Sequence, residues 1–221
     1  MTGVQTCALP ILVYISNPTE YGTLYTLAEL EALAAVCKET GLYLFMDGAR
    51  LGYGLMAKGN DVSLQDIARL CDVFYIGGTK VGALFGEAVV YSNPVLAEDF
   101  RYMIKRQGGM LAKGRLLGVQ FKALFEDNLY FDISAHAVRL ADQIRSTFDE
   151  MGVKYLVPGV TNQIFPILSD DFLAELGKNF MFTEMERVDE NHRCVRFCTS
   201  WASTQENVDA LCAELKRINL R

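Results

Sequence analysis

Asp47 directly follows the apolar run Leu42–Met46, and Lys80 follows Val73–Ile76 after Gly77-Gly78-Thr79. Both runs read as strands, so the acid and the amine stand at carboxyl ends of neighbouring or near-neighbouring strands, the edge where open α/β sheets bind ligands. Such residues can serve a ligand or form only a salt bridge. Arg50, just beyond Asp47, reads by itself as a solvated loop arginine or as an anion site. Late in the chain, Arg196 shares one strand face with Cys194 and Cys198, while Val195 and Phe197 point the other way. An arginine on a partly buried face needs an anionic partner. Its fork suits a carboxylate, and Glu184 or Glu186 is the internal alternative.

The elements that position these residues follow from periodicity. Leu12–Ile15 is a candidate strand. Thr26 with Glu29 forms a capping-box pair, Leu27, Leu30, Leu33, Ala34 and Cys37 keep one apolar face, and Gly41 closes the helix. Leu42–Met46 is a buried-type strand, and Ser63 caps a helix carrying Leu64, Ile67, Ala68 and Cys71. Strands are predicted at Val73–Ile76 and Glu87–Tyr91. Helical segments follow Pro94, break at Gly108-Gly109 and resume from Met110 to Phe125. A long stripe from Ile133 to Met151 ends at Gly152. Strands are expected at Lys154–Val157, Gln163–Leu168 and Cys194–Cys198, a helix at Asp170–Leu176, and a last helix capped by Ser203 with Glu206. The alternation of strand and helix predicts an α/β layer with a mostly parallel sheet. A boundary near residue 130 divides a partial large domain, 12–130, from a small α+β domain, 131–221.

In 221 residues, 21 Lys and Arg stand against 27 Asp and Glu, a formal charge of -6 that offers no basic footprint to nucleic acid or an anionic membrane. No run is apolar enough for a spanning helix. The six cysteines lack a C-x-x-C pair and there are two histidines, so no metal site or disulfide scaffold is expected, and reduced cytoplasmic thiols are the reading. Residues 1–11 are set apart: Thr2–Ile11 matches the conceptual translation of a sequencing-library adapter, so the natural chain is expected to begin further upstream.

Taken together, Asp47-Gly48-Ala49-Arg50, Phe74-Tyr75-Ile76-Gly77-Gly78-Thr79-Lys80 and Val195-Arg196-Phe197 with Thr199-Ser200-Trp201 resemble the threonine aldolases. These are pyridoxal-phosphate (PLP) enzymes of the aspartate-aminotransferase fold type, grouped with β-eliminating lyases. The resemblance runs from about Ile15 to the C-terminus, through Ser16–Thr23, Val81–Ala88 and Gly109–Gly114, and lacks the family's N-terminal third with its phosphate cradle and stacking ring. It implies fold type I, with Lys80 as the amine that holds PLP and Asp47 as partner of the protonated pyridine nitrogen. Gly77 and Gly78 allow close backbone approach, Thr79 offers a hydroxyl to the phosphate, and Asn17 reaches the ring hydroxyl unless it is a structural turn residue. The resemblance moves Arg196 towards the substrate carboxylate, with Arg50 as its companion. His136 and His192 fall on polar positions and are not chosen as the base.

The implied reaction is cleavage of L-threonine or L-allo-threonine to glycine and an aldehyde, in a homodimer or homotetramer, with this chain alone expected to be inactive. Two alternatives stay open: another PLP reaction, β-elimination or transamination, and a non-catalytic remnant.

Overall fold

The computed structural model describes residues 10–220. The adapter-like stretch is therefore outside the described residues up to position 9. Two sheets carry the fold. The first has β1 (Leu12–Ser16), β2 (Tyr43–Asp47), β3 (Val73–Gly77) and β4 (Glu87–Tyr91) in that order. β1, β2 and β3 are parallel and β4 returns antiparallel on β3. The carbonyl of Ile11 accepts from the Tyr43 N–H at 3.0 Å, extending the β1–β2 ladder by one bond.

Between the strands lie α1 (Leu27–Thr40), α2 (Leu51–Leu55) and α3 (Leu64–Leu70). Thr26 and Glu29 close the capping box of α1, and Gly41 ends it in the left-handed region at φ 68°. Ser63 caps α3 reciprocally with Asp66. After β4 come α4 (Phe100–Arg106) and α5 (Arg115–Phe125), then the 22-residue α6 (Leu129–Glu150). The helix expected from Met110 starts five residues later, at Arg115, because Gly114 makes its N-terminal junction. α6 passes between two cores: Tyr130, Ala137 and Val138 close the first, and Leu140, Ala141, Ile144 and Phe148 open the second.

The second sheet has β5 (Gln163–Ile164), β6 (Ile167–Ser169) and β7 (Thr183–Arg187) around β8 (His192–Cys198), with α7 (Asp170–Leu176) and α8 (Gln205–Asn219) completing the small core. Three expectations change here, and one strand was not foreseen. Gln163–Leu168 is two strands, broken at Phe165-Pro166 where a ladder N–H is missing. Lys154–Val157 is no strand; it makes a single bridge, Tyr155 to Pro166. β7 carried no alternation to read because all five of its residues are exposed. The cap of α8 is Thr204, whose side chain accepts from the Asn207 N–H, while Ser203 Oγ instead accepts from the Ser200 N–H at 2.9 Å. Among the described residues, no helix is long and apolar enough to cross a membrane and no His, Cys, Asp or Glu cluster could hold a metal ion.

Candidate active site at the sheet edge

The turn after β2 and the turn after β3 are built against each other through backbone. Gly77 N–H donates to Gly48 O at 2.9 Å, and a side chain on Gly48 would stand 2.0 Å from Tyr75 O, one on Gly77 2.2 Å from Ala49 O. Only glycine permits that approach. From below, the Tyr130 hydroxyl accepts from Gly52 N–H at 3.1 Å and donates to Gly77 O at 3.0 Å, so the fully buried α6 tyrosine ties the start of α2 to the end of β3. The Tyr53 hydroxyl donates to the Lys80 carbonyl. These contacts hold Asp47 and Lys80 at adjoining parallel strand ends, as the apolar runs implied.

Asp47 is half-buried. Its Oδ1 accepts from Ala49 N–H at 2.9 Å and its Oδ2 from the Tyr14 hydroxyl at 2.5 Å. Burial alone would raise its pKa, but hydrogen bonds from Tyr14, Tyr75 and Ala49 and the charge of Lys80 outweigh it and hold the carboxyl below its usual value. Lys80 and Thr79 are exposed. The Thr79 hydroxyl makes one long contact, to Gly86 O at 3.4 Å. Gly78 N–H is committed to Glu87 Oε2 at 2.6 Å, and its missing side chain makes room for Gly86 O and Phe121. What Gly78 contributes is therefore the shape of the turn. Burial raises the Glu87 carboxyl, with Lys80 and the Gly78 and Thr79 amides acting against it. Asn17 is buried; its N–H donates to Asp47 O at 3.0 Å and its side-chain Oδ1 accepts from Tyr25 N–H at 3.3 Å, which orients the carboxamide.

The small sheet brings Arg196 to the same region. Burial raises the Cys198 thiol pKa, and the charges of Arg50, Arg196 and Lys80 act against it. In a chain of net negative charge this is a local cluster of cations, suited to a carboxylate. Arg50 also has Glu20 at 3.6 Å, an exposed acid in an ion pair of little worth. Arg196 has neither acid expected of it: Thr183 is opposite it in the sheet, and Glu184 instead pairs with Arg193 at 2.8 Å. Among the described residues its one side-chain hydrogen bond is Nη1 to Gln163 Oε1 at 3.5 Å, and its Nε is buried without a hydrogen-bond partner. Cys194 is buried as expected, but Cys198 is exposed at the end of β8.

A cavity of about 590 Å³ lies between β8 and α8, lined by Arg196, Cys198, Phe182, Ser203 and Leu211. It does not reach Asp47 or Lys80, so the strand-end constellation rather than that cavity defines the site. His136 Nε2 contacts Ser203 O at 2.8 Å and His192 contacts Asp189, so both are engaged elsewhere. Sequence reading gave no role to Tyr14, Tyr53, Tyr75, Glu87 or Cys198. Tyr14 and Tyr75 lie two positions before strand ends, on the Asp47 side, and that spacing was the available signal.

This chain has relatives among known proteins. Two low specificity L-threonine aldolases are similar to it: that of a Pseudomonas species is 33% identical over 95% of this chain and 60% of its own length, and that of Pseudomonas aeruginosa is 34% identical over 85% and 59%. The chain thus spans about three fifths of the curated relatives it matches. The structure of Leishmania major threonine aldolase superposes with a TM-score of 0.93 at 45% identity, over 96% of this chain and 62% of that one. Thermotoga maritima aspartate aminotransferase shares the fold at a TM-score of 0.66 and 17% identity. The fold is therefore that of the aspartate-aminotransferase type, as the motifs implied. With the profile of the beta-eliminating lyases matching residues 8–171, strand-end motifs included, the chain belongs to the beta-eliminating lyase family.

Proposed function

We propose that the protein carrying this chain is a PLP-dependent aldolase that cleaves L-threonine or L-allo-threonine to glycine and acetaldehyde. The observation that carries the reading is Arg196: a guanidinium at the sheet edge with a buried, unpartnered Nε and no internal acid, beside Arg50 and Lys80. Leaving such a donor unpaired costs free energy that a substrate carboxylate would recover. The residues also fit the cofactor: an exposed amine on Lys80, an ionised strand-end acid in Asp47, a lightly engaged hydroxyl on Thr79 and an oriented carboxamide on Asn17.

When bound, PLP supplies an electron sink for a bond broken at the substrate Cα. Asp47 would keep the pyridine nitrogen protonated, and its own ionised state suits that task. Arg196 and Arg50 would grip the substrate carboxylate and fix the orientation of the amino acid. Lys80 would supply the amine that holds the cofactor. The small sheet and the large sheet each contribute an arginine, so substrate placement depends on their packing, which Gln163 supports by donating to Glu20 O at 3.0 Å. The exposed Tyr102, Met103 and Leu116 of α4 and α5 support self-association as a homodimer or homotetramer.

In the protein carrying this chain, borohydride reduction should fix the cofactor on the peptide containing Lys80, and Lys80→Ala and Lys80→Arg should both abolish turnover, since a guanidinium does not replace the amine. A label on Lys58 or Lys113 would end the assignment. Glycine with acetaldehyde from threonine supports the aldolase; ammonia with a keto acid would favour β-elimination, the reaction for which the family is named.

A further inference from the structure

Three parallel strands line up an aromatic row beside Asp47. Tyr14 is opposite Phe45, and Ser16 opposite Asp47. The rings of Tyr14 and Phe45 stack with centroids 5.4 Å apart and planes 10° apart, and Tyr75 on β3 meets Phe45 edge-on at 6.1 Å. Residues two apart on a strand share a face, so this row ends under the Asp47 carboxylate. The Tyr14 hydroxyl reaches Oδ2 at 2.5 Å, and the Tyr75 hydroxyl on the other side lies near enough to the same carboxylate to help hold its pKa down.

We propose that Tyr14 and Tyr75 form a two-phenol clamp, a pair of positioning residues that fixes the orientation of the Asp47 carboxylate towards the pyridine nitrogen of PLP. The clamp rests on the reading of Asp47 as the cofactor's acid partner. A carboxylate held by Ala49 N–H alone would still turn about its last bond. Adding donors from the strands on either side leaves one arrangement.

The groups that face Asp47 are Tyr14 from β1, Tyr75 from β3, Lys80 beyond β3 and Glu87 at the start of β4. The phenols and Lys80 favour its charge. The bond to Asp47 holds the Tyr14 phenol above its ordinary value, and burial followed by the bond to Asp47 raises Tyr75. Both hydroxyls therefore stay protonated across the physiological range and act by donating hydrogen bonds, with no part in proton transfer.

The test uses Tyr14→Phe, Tyr75→Phe and the double variant in the protein carrying this chain, each of which keeps the ring row. The Asp47 carboxyl is titrated by carbon-13 NMR without cofactor, its signal assigned through Asp47→Asn. Its midpoint should move up in each single variant and further in the double. Asp47→Asn should lower the Tyr14 phenol midpoint in return. The dissociation constant for PLP should rise about three- to tenfold in Tyr14→Phe, the loss of one hydrogen bond to a charged group discounted for exposure. An unmoved Asp47 midpoint in the double variant overturns the proposal. So does a moved midpoint with unchanged PLP affinity, which would leave the phenols purely structural. Failure of the cofactor reading shows elsewhere, as an unsubstituted protein carrying this chain that takes up no PLP while Asp47 still responds, and the assignment to a pyridine nitrogen then falls with it.

Discussion

Replacing Arg196 separates a substrate-binding arginine from a structural one, because the two roles move stability in opposite directions. In β8 its Nη1 lies 3.5 Å from Gln163 Oε1, at the limit of a hydrogen bond, and its Nε is buried with no partner. A buried unsatisfied donor costs about 1–3 kcal/mol, and the partial exposure of Arg196 puts it at the lower end. Arg196→Met should therefore leave the substrate-free chain as stable as before or about 1 kcal/mol more stable. At roughly 2–4 °C per kcal/mol for a chain of this size, the melting temperature should hold or rise slightly. The cost should appear in substrate binding. Losing a charge-assisted fork removes about 1.5–3 kcal/mol, which raises KM for threonine roughly 10- to 150-fold. Arg196→Lys keeps the charge without the fork and should lie between, with little change in PLP affinity. The assays are thermal melts without ligand, and threonine kinetics with PLP titration in the protein carrying this chain. A melting temperature several degrees lower, with KM unchanged, would refute the reasoning and make Arg196 a structural residue.

Tyr130→Phe leaves Gly52 N–H and Gly77 O unpaired in the interior and should cost about 2–4 kcal/mol in urea unfolding; a loss under 1 kcal/mol would show that water or backbone shift replaces the hydroxyl. Asp47 has a folded-state pKa below its unfolded value, so its contribution is present above the unfolded pKa and is lost as pH falls through the folded one. The stability gap between the unsubstituted chain and Asp47→Asn should narrow on acidification from roughly pH 7 to pH 3, and a gap that stays constant would contradict the clamped, ionised carboxylate. Thr204→Ala should weaken hydrogen-exchange protection of the Asn207 amide and cost about 1 kcal/mol, whereas Ser203→Ala should leave that amide unchanged.

Local chemistry in the sequence was enough for the large sheet. The capping pairs Thr26–Glu29 and Ser63–Asp66 and the left-handed Gly41 specify their helix ends within a few residues, so α1 and α3 stand where the pattern put them. Lys80 and Asp47 were legible for the same reason: each immediately follows a continuous apolar run, and chain continuity puts both at strand ends. The small sheet was less legible because its strands are short and set by partners. β7 shows no apolar alternation, and Pro166 divides what reads as one strand. Ser203 and Thr204 are equally good caps by residue type, and the turn at Ser200, which takes the Ser203 hydroxyl, decided between them.

The sequence by itself determined the residue types at the sheet edge, the order of their motifs and the family they resemble. Tertiary structure decided which of those groups are committed and which are free. Glu184 was a fair partner for Arg196 by proximity along the chain, but antiparallel pairing directs it to Arg193 and leaves Arg196 without an acid. Gly78 reads as a place for a ligand to approach, but Glu87 takes its N–H across the β3–β4 pair. The Tyr14 and Tyr75 hydroxyls converge on Asp47 only because three separate segments align in one register. Hydrogen-bond commitment depends on neighbours distant in the chain, and spacing along one segment carries no record of them.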